Sequence, residues 1–262
     1  MSNPVLNITL PGSWAELSEK QLYFVSKLLY MEVPELELLT RCFLEFAGIT
    51  ILSKDPEIVI TDDATEGELC YWFKKSGTGR FYLDVDMATT LIHHLDFLVT
   101  EITLFKNPAK IGKYAGCNFK LYGISLEEWL VVDQMYIGYA KTRRVEFLDN
   151  MLAVLYHLPG EKWDEQTNLA TRAARFKSMP EYTRYIVFLW YTSCKLWLKG
   201  KYFYLFDSSD TGDASQSAND YVMSLISSLN EGNVANNPQI KHTPCHEVFY
   251  ELNRKIEKAK TT

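Results

Sequence analysis

The stretch PEYTRYIVFLWYTSCKLWL, residues 180–198, contains the most apolar run of the chain, from Tyr185 to Leu198. Pro180 suits the first turn of a helix, where a missing N–H removes no hydrogen bond. The run is too short to span a bilayer, and it contains Lys195. It therefore predicts a long buried helix, and it favours a fold whose core is made of helices.

Three further helix starts are marked by capping boxes. In a capping box, a Ser or Thr is followed three residues later by Glu or Gln, and the two side chains satisfy N–H groups at the start of a helix. The pattern occurs at Ser13, Ser18 and Ser125. The box at Ser18 predicts a helix over residues 19–30, and the box at Ser125 predicts another.

Other helices are bounded by Pro and Gly, which begin and end helices for steric reasons. One is expected from Pro34 to Gly48. A second is expected from near Arg144 to the Pro-Gly pair at 159–160, and a third over residues 165–177.

One part of the chain has strand character. Residues 57–61 and 80–84 are short segments rich in β-branched or aromatic residues, and they predict strands. Residues 110–122 predict a strand or hairpin, whereas residues 66–75 predict a short helix. The predicted fold class is therefore mainly α, a helical protein with a small α+β insertion near residues 50–122.

A polar stretch sets off the C-terminal part. The sequence DSSDTGDASQS, residues 207–217, has no core-forming residue and predicts a linker. We therefore expect a helical core with the insertion over residues 1–206, a polar linker over 207–218 and a C-terminal helical segment over 219–262. A loop is expected within that segment at residues 232–238.

The last helix is expected to begin at Thr243-Pro244 and to carry a narrow apolar seam of Phe249, Leu252 and Ile256. A seam of this kind must be buried against something. Two interpretations are open. The seam folds back onto the helical core, or it docks on another chain by helix-in-groove contact. The second interpretation makes these three residues the predicted partner-binding site.

Composition and charge narrow the class of partner. The chain has 262 residues, of which 47% are hydrophobic, and this balance is typical of a globular protein. A formal net charge of −6 argues against a dedicated nucleic-acid-binding protein, because phosphate binding needs a basic face. A run of lysines is interpreted as a solvated edge; it comprises Lys106, Lys110, Lys113 and Lys120.

The cysteines and the N-terminus indicate the compartment. Five widely spaced cysteines without a CxxC motif do not form a disulfide framework, so a reducing cytosol is expected. The N-terminus lacks the basic and apolar regions of a signal peptide. We expect no membrane partner.

The strongest candidate for a metal site is the cluster of His242, Cys245 and His246. An imidazole and a thiolate from one helical turn are zinc ligands, but a zinc site usually needs four ligands, and no second Cys/His pair complements this one. The competing interpretation places His242 and His246 on the surface at a helix start. His93-His94 likewise predicts surface or core histidines, because no HExxH motif is present.

No complete catalytic motif is present. The sequence Gly77-Thr-Gly79 lacks the Lys-Ser/Thr of a phosphate-binding loop and is interpreted as a turn. The chain has no Gly-x-Ser-x-Gly motif of a hydrolase. An aromatic cluster could line a ligand pocket but is more typical of a core; it comprises Tyr185, Phe188, Leu189, Trp190, Tyr191 and Trp197. We therefore predict a non-enzymatic protein without a catalytic site, metal or cofactor.

Several segments taken together resemble a known group of proteins. They are LPGSWAELSEKQL at 10–22, YAKTR at 139–143 with the Leu148 to Tyr156 region and Trp163-Asp164 after it, RAARF at 172–176, Met179-Pro180, and FLW at 188–190. Together they resemble tail-region proteins of phages and prophages of Bacteroides-type gut bacteria. Some of these look like tail-assembly chaperones, which hold the tape-measure protein before the tail tube closes.

The resemblance implies a phage structural or assembly protein that acts by protein–protein binding. Its partners would be other phage proteins of the tail or tape-measure type, in the bacterial host cytoplasm or in the virion. The resemblance implies no active-site residues. The alternative is a small-ligand-binding protein or metal-dependent enzyme that uses the aromatic helix or the His242–His246 cluster.

Overall fold

A computed structural model describes residues 8–53, 55–59, 68–76, 79–100, 102–161, 163, 169–206, 226–227 and 237–261. The chain divides into two units, Met1–Thr103 and Leu104–Thr262. The fold is mainly α with a small β portion, which confirms the predicted fold class. None of the described helices is long and apolar enough to cross a bilayer.

The first unit combines three helices with one antiparallel sheet. The helices are α1 (Glu19–Tyr30), α2 (Glu35–Ala47) and α3 (Val85–His93). The strands are β1 (Ile49–Ile51), β2 (Glu57–Val59), β3 (Glu68–Lys75) and β4 (Gly79–Asp84). β3 is the central strand, because β1 and β2 pair with its two ends and β4 pairs with it over six residues.

Aromatic side chains fill the core of the first unit. Trp14 is buried and its indole Nε1 donates to the Phe97 carbonyl at 2.9 Å, so its polar atom is satisfied. Phe43 of α2 meets Phe73 of β3 edge to face, and Phe73 stacks on Phe81 of β4. Each large side chain buried in this way contributes about 1.5–3 kcal/mol.

The second unit is built on helices. They are α4 (Leu126–Thr142), α5 (Glu146–Leu155), α6 (Leu169–Ala174), α7 (Glu181–Lys201), α8 (Phe203–Phe206), α9 (Asn237–His242) and α10 (Cys245–Thr261). A small antiparallel sheet accompanies them, formed by β5 (Lys110–Ile111), β6 (Tyr114–Gly116) and β7 (Tyr156–His157). The core contains fully buried residues of α4, α5 and α7, among them Trp129, Leu152 and Trp190.

Local signals place several helix ends as predicted. Ser18 and Ser125 both form complete capping boxes, with Gln21 and Glu128 as the returning side chains. Gly48 ends α2 in the left-handed conformation, with φ of +65°, which a residue without Cβ adopts without strain.

The predicted capping box at Ser13 is wrong. Only a single 3-10 turn, Trp14–Glu16, follows Ser13, and the Ser13 hydroxyl caps no backbone N–H. The Glu16 carboxylate instead accepts from the Gly12 N–H at 2.8 Å. Leu17 then adopts an extended conformation before the box at Ser18, so the second signal begins the helix.

The helix predicted over residues 66–75 is also wrong, because β3 occupies Glu68–Lys75. The segment is rich in aromatic residues, which fit a pleated surface next to cross-strand neighbours. Trp72 lies edge to face with Tyr82 of β4, and Phe73 lies against Phe81. These contacts depend on β4, which a local helical pattern does not include.

The C-terminal boundaries also differ from expectation. α9 begins at Asn237, inside the loop predicted over residues 232–238. The predicted linker at 207–218 and residues 232–236 lie outside the described residues. The boundary between the two units falls after residue 103, so the predicted α+β insertion has residues in both units.

Candidate partner-binding surface

His246 lies at the start of α10 and is buried, which corrects the prediction that it is a surface residue. Its Nε2 lies 2.8 Å from the Lys120 carbonyl, and its Nδ1 lies 2.8 Å from the Tyr202 hydroxyl. A carbonyl only accepts, so Nε2 carries the proton and Nδ1 accepts from Tyr202. Both ring nitrogens are therefore engaged in hydrogen bonds.

The electrostatics at His246 and Cys245 do not favour metal binding. Burial, with a contribution from nearby Lys201, lowers the pKa of His246, so the ring is neutral near pH 7. Burial raises the pKa of the Cys245 thiol to about 12, so the sulfur keeps its proton. His242 is largely exposed, with its Nδ1 3.9 Å from the Glu127 carboxylate. Among the described residues, no three His, Cys, Asp or Glu side chains are grouped to hold a metal ion.

Rather than binding a metal, His246 stabilises a strained turn at residues 120–123. Lys120 and Leu121 have φ of +61° and +63°, and Gly123 has φ of +85°. Each of the two non-glycine residues costs on the order of 1 kcal/mol in this conformation. The His246 bond to the Lys120 carbonyl and the Cys245 N–H bond to the Ile124 carbonyl at 2.9 Å hold the turn against α10.

The turn brings Lys120 and Tyr122 next to Trp197 and Lys201 of α7. We call these four residues the lysine–aromatic surface. The Nζ of Lys120 lies 4.7 Å from the Trp197 ring centroid, and the Nζ of Lys201 lies 4.9 Å from the same ring. Lys201 also donates to the Tyr122 hydroxyl at 3.1 Å. Each exposed cation–π contact contributes about 0.5–1 kcal/mol, which orders both ammonium groups.

The lysine–aromatic surface is positively charged. Within the described part of the chain, no carboxylate lies within 4 Å of either ammonium group. Burial opposes the charge on Lys201, but its bonds to Tyr122 and Tyr202 outweigh this effect and raise its pKa. Tyr122 is exposed and Trp197 is half-buried. The arrangement therefore presents two ordered cations to an anionic group, while part of the Trp197 and Tyr122 rings stays accessible beside them.

The predicted seam on the last helix lies inside the second unit. Phe249 is fully buried, 4.8 Å from the Trp129 ring and 5.3 Å from the Phe206 ring, and Leu252 is also buried. Ile256 is half-buried. The seam thus folds back onto α4 and α8, because these helices supply the apolar surface that it needs. A partner reaches Phe249 and Leu252 only if α10 leaves the core, and a partner-binding role for the seam stays a prediction.

Most of the predicted aromatic cluster on α7 is core. Trp190 and Tyr191 are fully buried, and the Tyr191 hydroxyl donates to Asp133 at 3.2 Å. Phe188 stacks on Tyr136 with ring centroids 4.9 Å apart. Trp197, at the other end of the helix, belongs to the lysine–aromatic surface.

The remaining sequence candidates lie elsewhere. His93 and His94 are exposed in the first unit, where the His93 Nδ1 lies 3.1 Å from both Asp96 carboxylate oxygens. Gly79 begins β4, while Gly77 and Thr78 lie outside the described residues.

A cleft of about 630 Å³ in the second unit has two carboxylates in its lining, Glu128 and Glu161, and both have structural partners. Glu128 accepts from the Ser125 N–H at 2.7 Å as part of the capping box. Burial opposes ionisation of Glu161, but bonds from the Leu158 N–H and from Arg175, together with the Arg172 charge, outweigh it and lower its pKa. These carboxylates stabilise helix and loop ends.

One half of the lysine–aromatic surface has a sequence signal. Trp197 and Lys201 are four residues apart, a spacing that places side chains on one face of a helix. The other half has none, because Lys120 and Tyr122 are more than 70 residues away in the chain. Comparison with protein-family models, with curated proteins and with solved structures finds no match.

Proposed function

We propose that this protein is a non-enzymatic phage structural or assembly protein that binds another phage protein through its lysine–aromatic surface. A role as a tail-assembly chaperone is the specific form of this proposal, and it rests on the resemblance of the sequence to phage tail-region proteins. The observation that carries the binding role is the placement of Lys120 and Lys201 on the ring of Trp197.

A polypeptide with acidic side chains suits this surface. Trp and Tyr are enriched among the residues that dominate binding energy at protein interfaces, and here Trp197 and Tyr122 are both accessible. The cation–π contacts hold both lysines in place before binding, so little side-chain entropy is lost when a partner docks. The overall charge of −6 disfavours nucleic acid as the partner.

The alternative of a metal-dependent enzyme gains no support from the His242–His246 cluster. Both nitrogens of His246 make hydrogen bonds, and the thiol of Cys245 is protonated. Zinc binding would require displacing Tyr202 from the unprotonated Nδ1 of His246 and removing the Cys245 proton.

The test compares affinity-tagged wild type with Trp197→Ala and Lys201→Glu in cells that produce the phage. Captured tail-tube and tape-measure proteins are measured by quantitative mass spectrometry. We expect capture to fall at least about tenfold in each variant, which corresponds to about 1.4 kcal/mol. Lys110→Glu is the matched control, because it reverses one exposed lysine outside the surface.

Circular dichroism checks that all three variants fold. Capture that is equal in wild type and both surface variants would contradict the proposal. Tight binding of a single-stranded oligonucleotide that is lost in the same variants would replace it with a nucleic-acid function.

A further inference from the structure

The connection between α1 and α2 forms an exposed, acidic projection on the first unit. We call residues 31–37 the acidic turn. Two large apolar side chains of this turn, Met31 and Leu36, are 57% and 66% exposed. Glu32, Glu35 and Glu37 surround them, and all three are exposed. A pair of exposed aliphatic side chains with an acidic rim is suited to an apolar pocket with a basic rim.

Two of these carboxylates are available to a partner. Glu37 pairs with Arg41 at 2.5 Å, whereas Glu32 and Glu35 make no ion pair within the described residues. Glu32 has φ of +52°, so the turn is held in a left-handed conformation at its tip. The chain connection between two helices that each bury one face therefore presents the acidic turn in a defined shape.

The second unit carries a complementary pocket. It has a volume of about 280 Å³ and is lined mostly by aromatic and aliphatic side chains, including Trp129, Tyr136 and Phe206. A cavity on the order of 150 Å³ is enough to hold benzene, so this pocket has room for aliphatic side chains. We call it the lysine-rimmed pocket, because Lys195 and Lys199 lie at its edge.

The two lysines of the rim differ in whether their ammonium groups are already held in an ion pair. Lys195 forms an ion pair with the fully buried carboxylate of Asp133, which fixes its position. Lys199 is exposed, and so is the neighbouring Leu196. Lys199 is therefore the cation that can meet a carboxylate from outside, while Leu196 extends the apolar wall.

The lysine-rimmed pocket is separate from the lysine–aromatic surface. At 3.6 residues per turn, Lys195 and Lys199 lie on one side of α7, and Trp197 and Lys201 lie on nearly the opposite side. Occupancy of the pocket can therefore be tested without changing the surface on which the proposed function rests.

Charge is distributed unevenly between the units. Residues 1–103 carry 7 Lys or Arg against 16 Asp or Glu, a net charge of −9. Residues 104–262 carry 20 against 17, a net charge of +3. Opposite net charges accelerate and orient the encounter of the first unit of one molecule with the second unit of another.

We propose that the acidic turn of one copy docks in the lysine-rimmed pocket of a second copy, with Leu36 in the pocket and Glu35 against Lys199. Every copy of the protein carries both the acidic turn and the lysine-rimmed pocket, and both are exposed. The two surfaces differ from each other, so the contact is heterologous and each bound copy leaves one turn and one pocket free. Repetition of the contact builds head-to-tail chains.

The contact is small, so association is weak, depends on protein concentration and decreases with added salt. Sedimentation velocity of the full chain over a concentration series measures it. We expect the average mass to rise with concentration at low salt. Leu36→Glu should weaken association at least about tenfold, because it places a carboxylate in an apolar pocket.

A mixing experiment identifies the heterologous geometry. Leu36→Glu disables the acidic turn as a binding surface, and the double variant Leu196→Glu, Lys199→Glu disables the lysine-rimmed pocket. Each variant alone should be monomeric. Mixed in equal amounts, they retain one intact turn and one intact pocket, so they should form a dimer that grows no further.

The matched control is Ile58→Glu, which adds the same charge at an exposed apolar residue of the first unit outside the turn. It should associate like wild type. A wild-type protein that stays monomeric at every concentration overturns the proposal. Three other results also overturn it. They are association that persists in Leu36→Glu, an equal loss of association in Ile58→Glu, and a mixture of the turn and pocket variants that stays monomeric. All of these variants retain Trp197, Lys120 and Lys201, so partner capture is scored independently.

Discussion

The guanidinium of Arg184 lies 2.5 Å from the carboxylate of Asp149, and both side chains are buried in the second unit. The pair joins α7 to α5 through the core. A buried pair of this kind contributes little compared with apolar packing, but removing Asp149 leaves the buried Arg184 charge beside only the half-exposed Glu181 carboxylate, 3.8 Å away.

Asp149→Ala should therefore lower the free energy of unfolding by about 3–5 kcal/mol, measured by urea denaturation. The double variant Asp149→Leu, Arg184→Met should recover much of this loss, because no charge stays buried. Glu251→Ala, which removes one partner of the exposed pair with Arg254, is the control and should have far less effect. Equal effects at the two sites would refute the argument.

The two serine motifs should differ in their effect on stability. Ser125→Ala removes a side chain that accepts the Glu128 N–H, so it should cost about 1 kcal/mol of unfolding free energy. Ser13→Ala removes a hydroxyl that caps no backbone N–H, and its effect should stay within about 0.5 kcal/mol. Thermal or urea unfolding of the two variants measures the difference. A larger loss at Ser13 would count against the structure of the N-terminal turn.

Acidification should destabilise the fold through His246. Burial, with Lys201, lowers its folded pKa below the usual value of about 6.5, so the unfolded state binds more protons in the range between the two. The His246 contribution to the free energy of unfolding is therefore fully present above about pH 6.5 and is lost as pH falls from there through the lowered folded pKa.

A pH series of urea unfolding curves checks this prediction. His246→Gln should show a smaller rise in stability between acid and neutral pH than wild type. His93→Gln is the control, because His93 is exposed. The same pH dependence in wild type and His246→Gln would show that other groups cause it.

Replacing each of two helical glycines with alanine should change the free energy of unfolding in opposite directions. A Cβ at Gly138 would lie 2.5 Å from the Phe147 ring, so Gly138→Ala should cost about 1–3 kcal/mol through overpacking. At Gly200 a Cβ would meet no atom within 4 Å, so Gly200→Ala should stabilise α7 by up to about 1 kcal/mol. Unfolding midpoints of the two variants give the signs. Stabilisation at Gly138 would show that α4 and α5 are not packed this closely.

Local chemistry accounts for the parts of the fold that the sequence predicts well. The capping boxes at Ser18 and Ser125 and the left-handed end at Gly48 depend on contacts within four residues. The prediction failed at residues 66–75, where the strand is stabilised by pairing with residues 79–84 and by packing on Phe43. It also failed at Ser13, where a local motif competes with a second one five residues later.

Local patterns in the amino-acid sequence were enough to predict that helices dominate, where several of them begin and end, and which residues supply a large apolar core. The tertiary structure alone decided that His246 is buried against Lys120, that Phe249 packs on Trp129, and that Lys120 joins Lys201 on the ring of Trp197. The physical reason is distance along the chain. A cap or a helix face is set by neighbours three or four residues apart, whereas the contacts that Lys120 and Phe249 make join residues separated by 77 to 126 positions and exist only after the helices have packed.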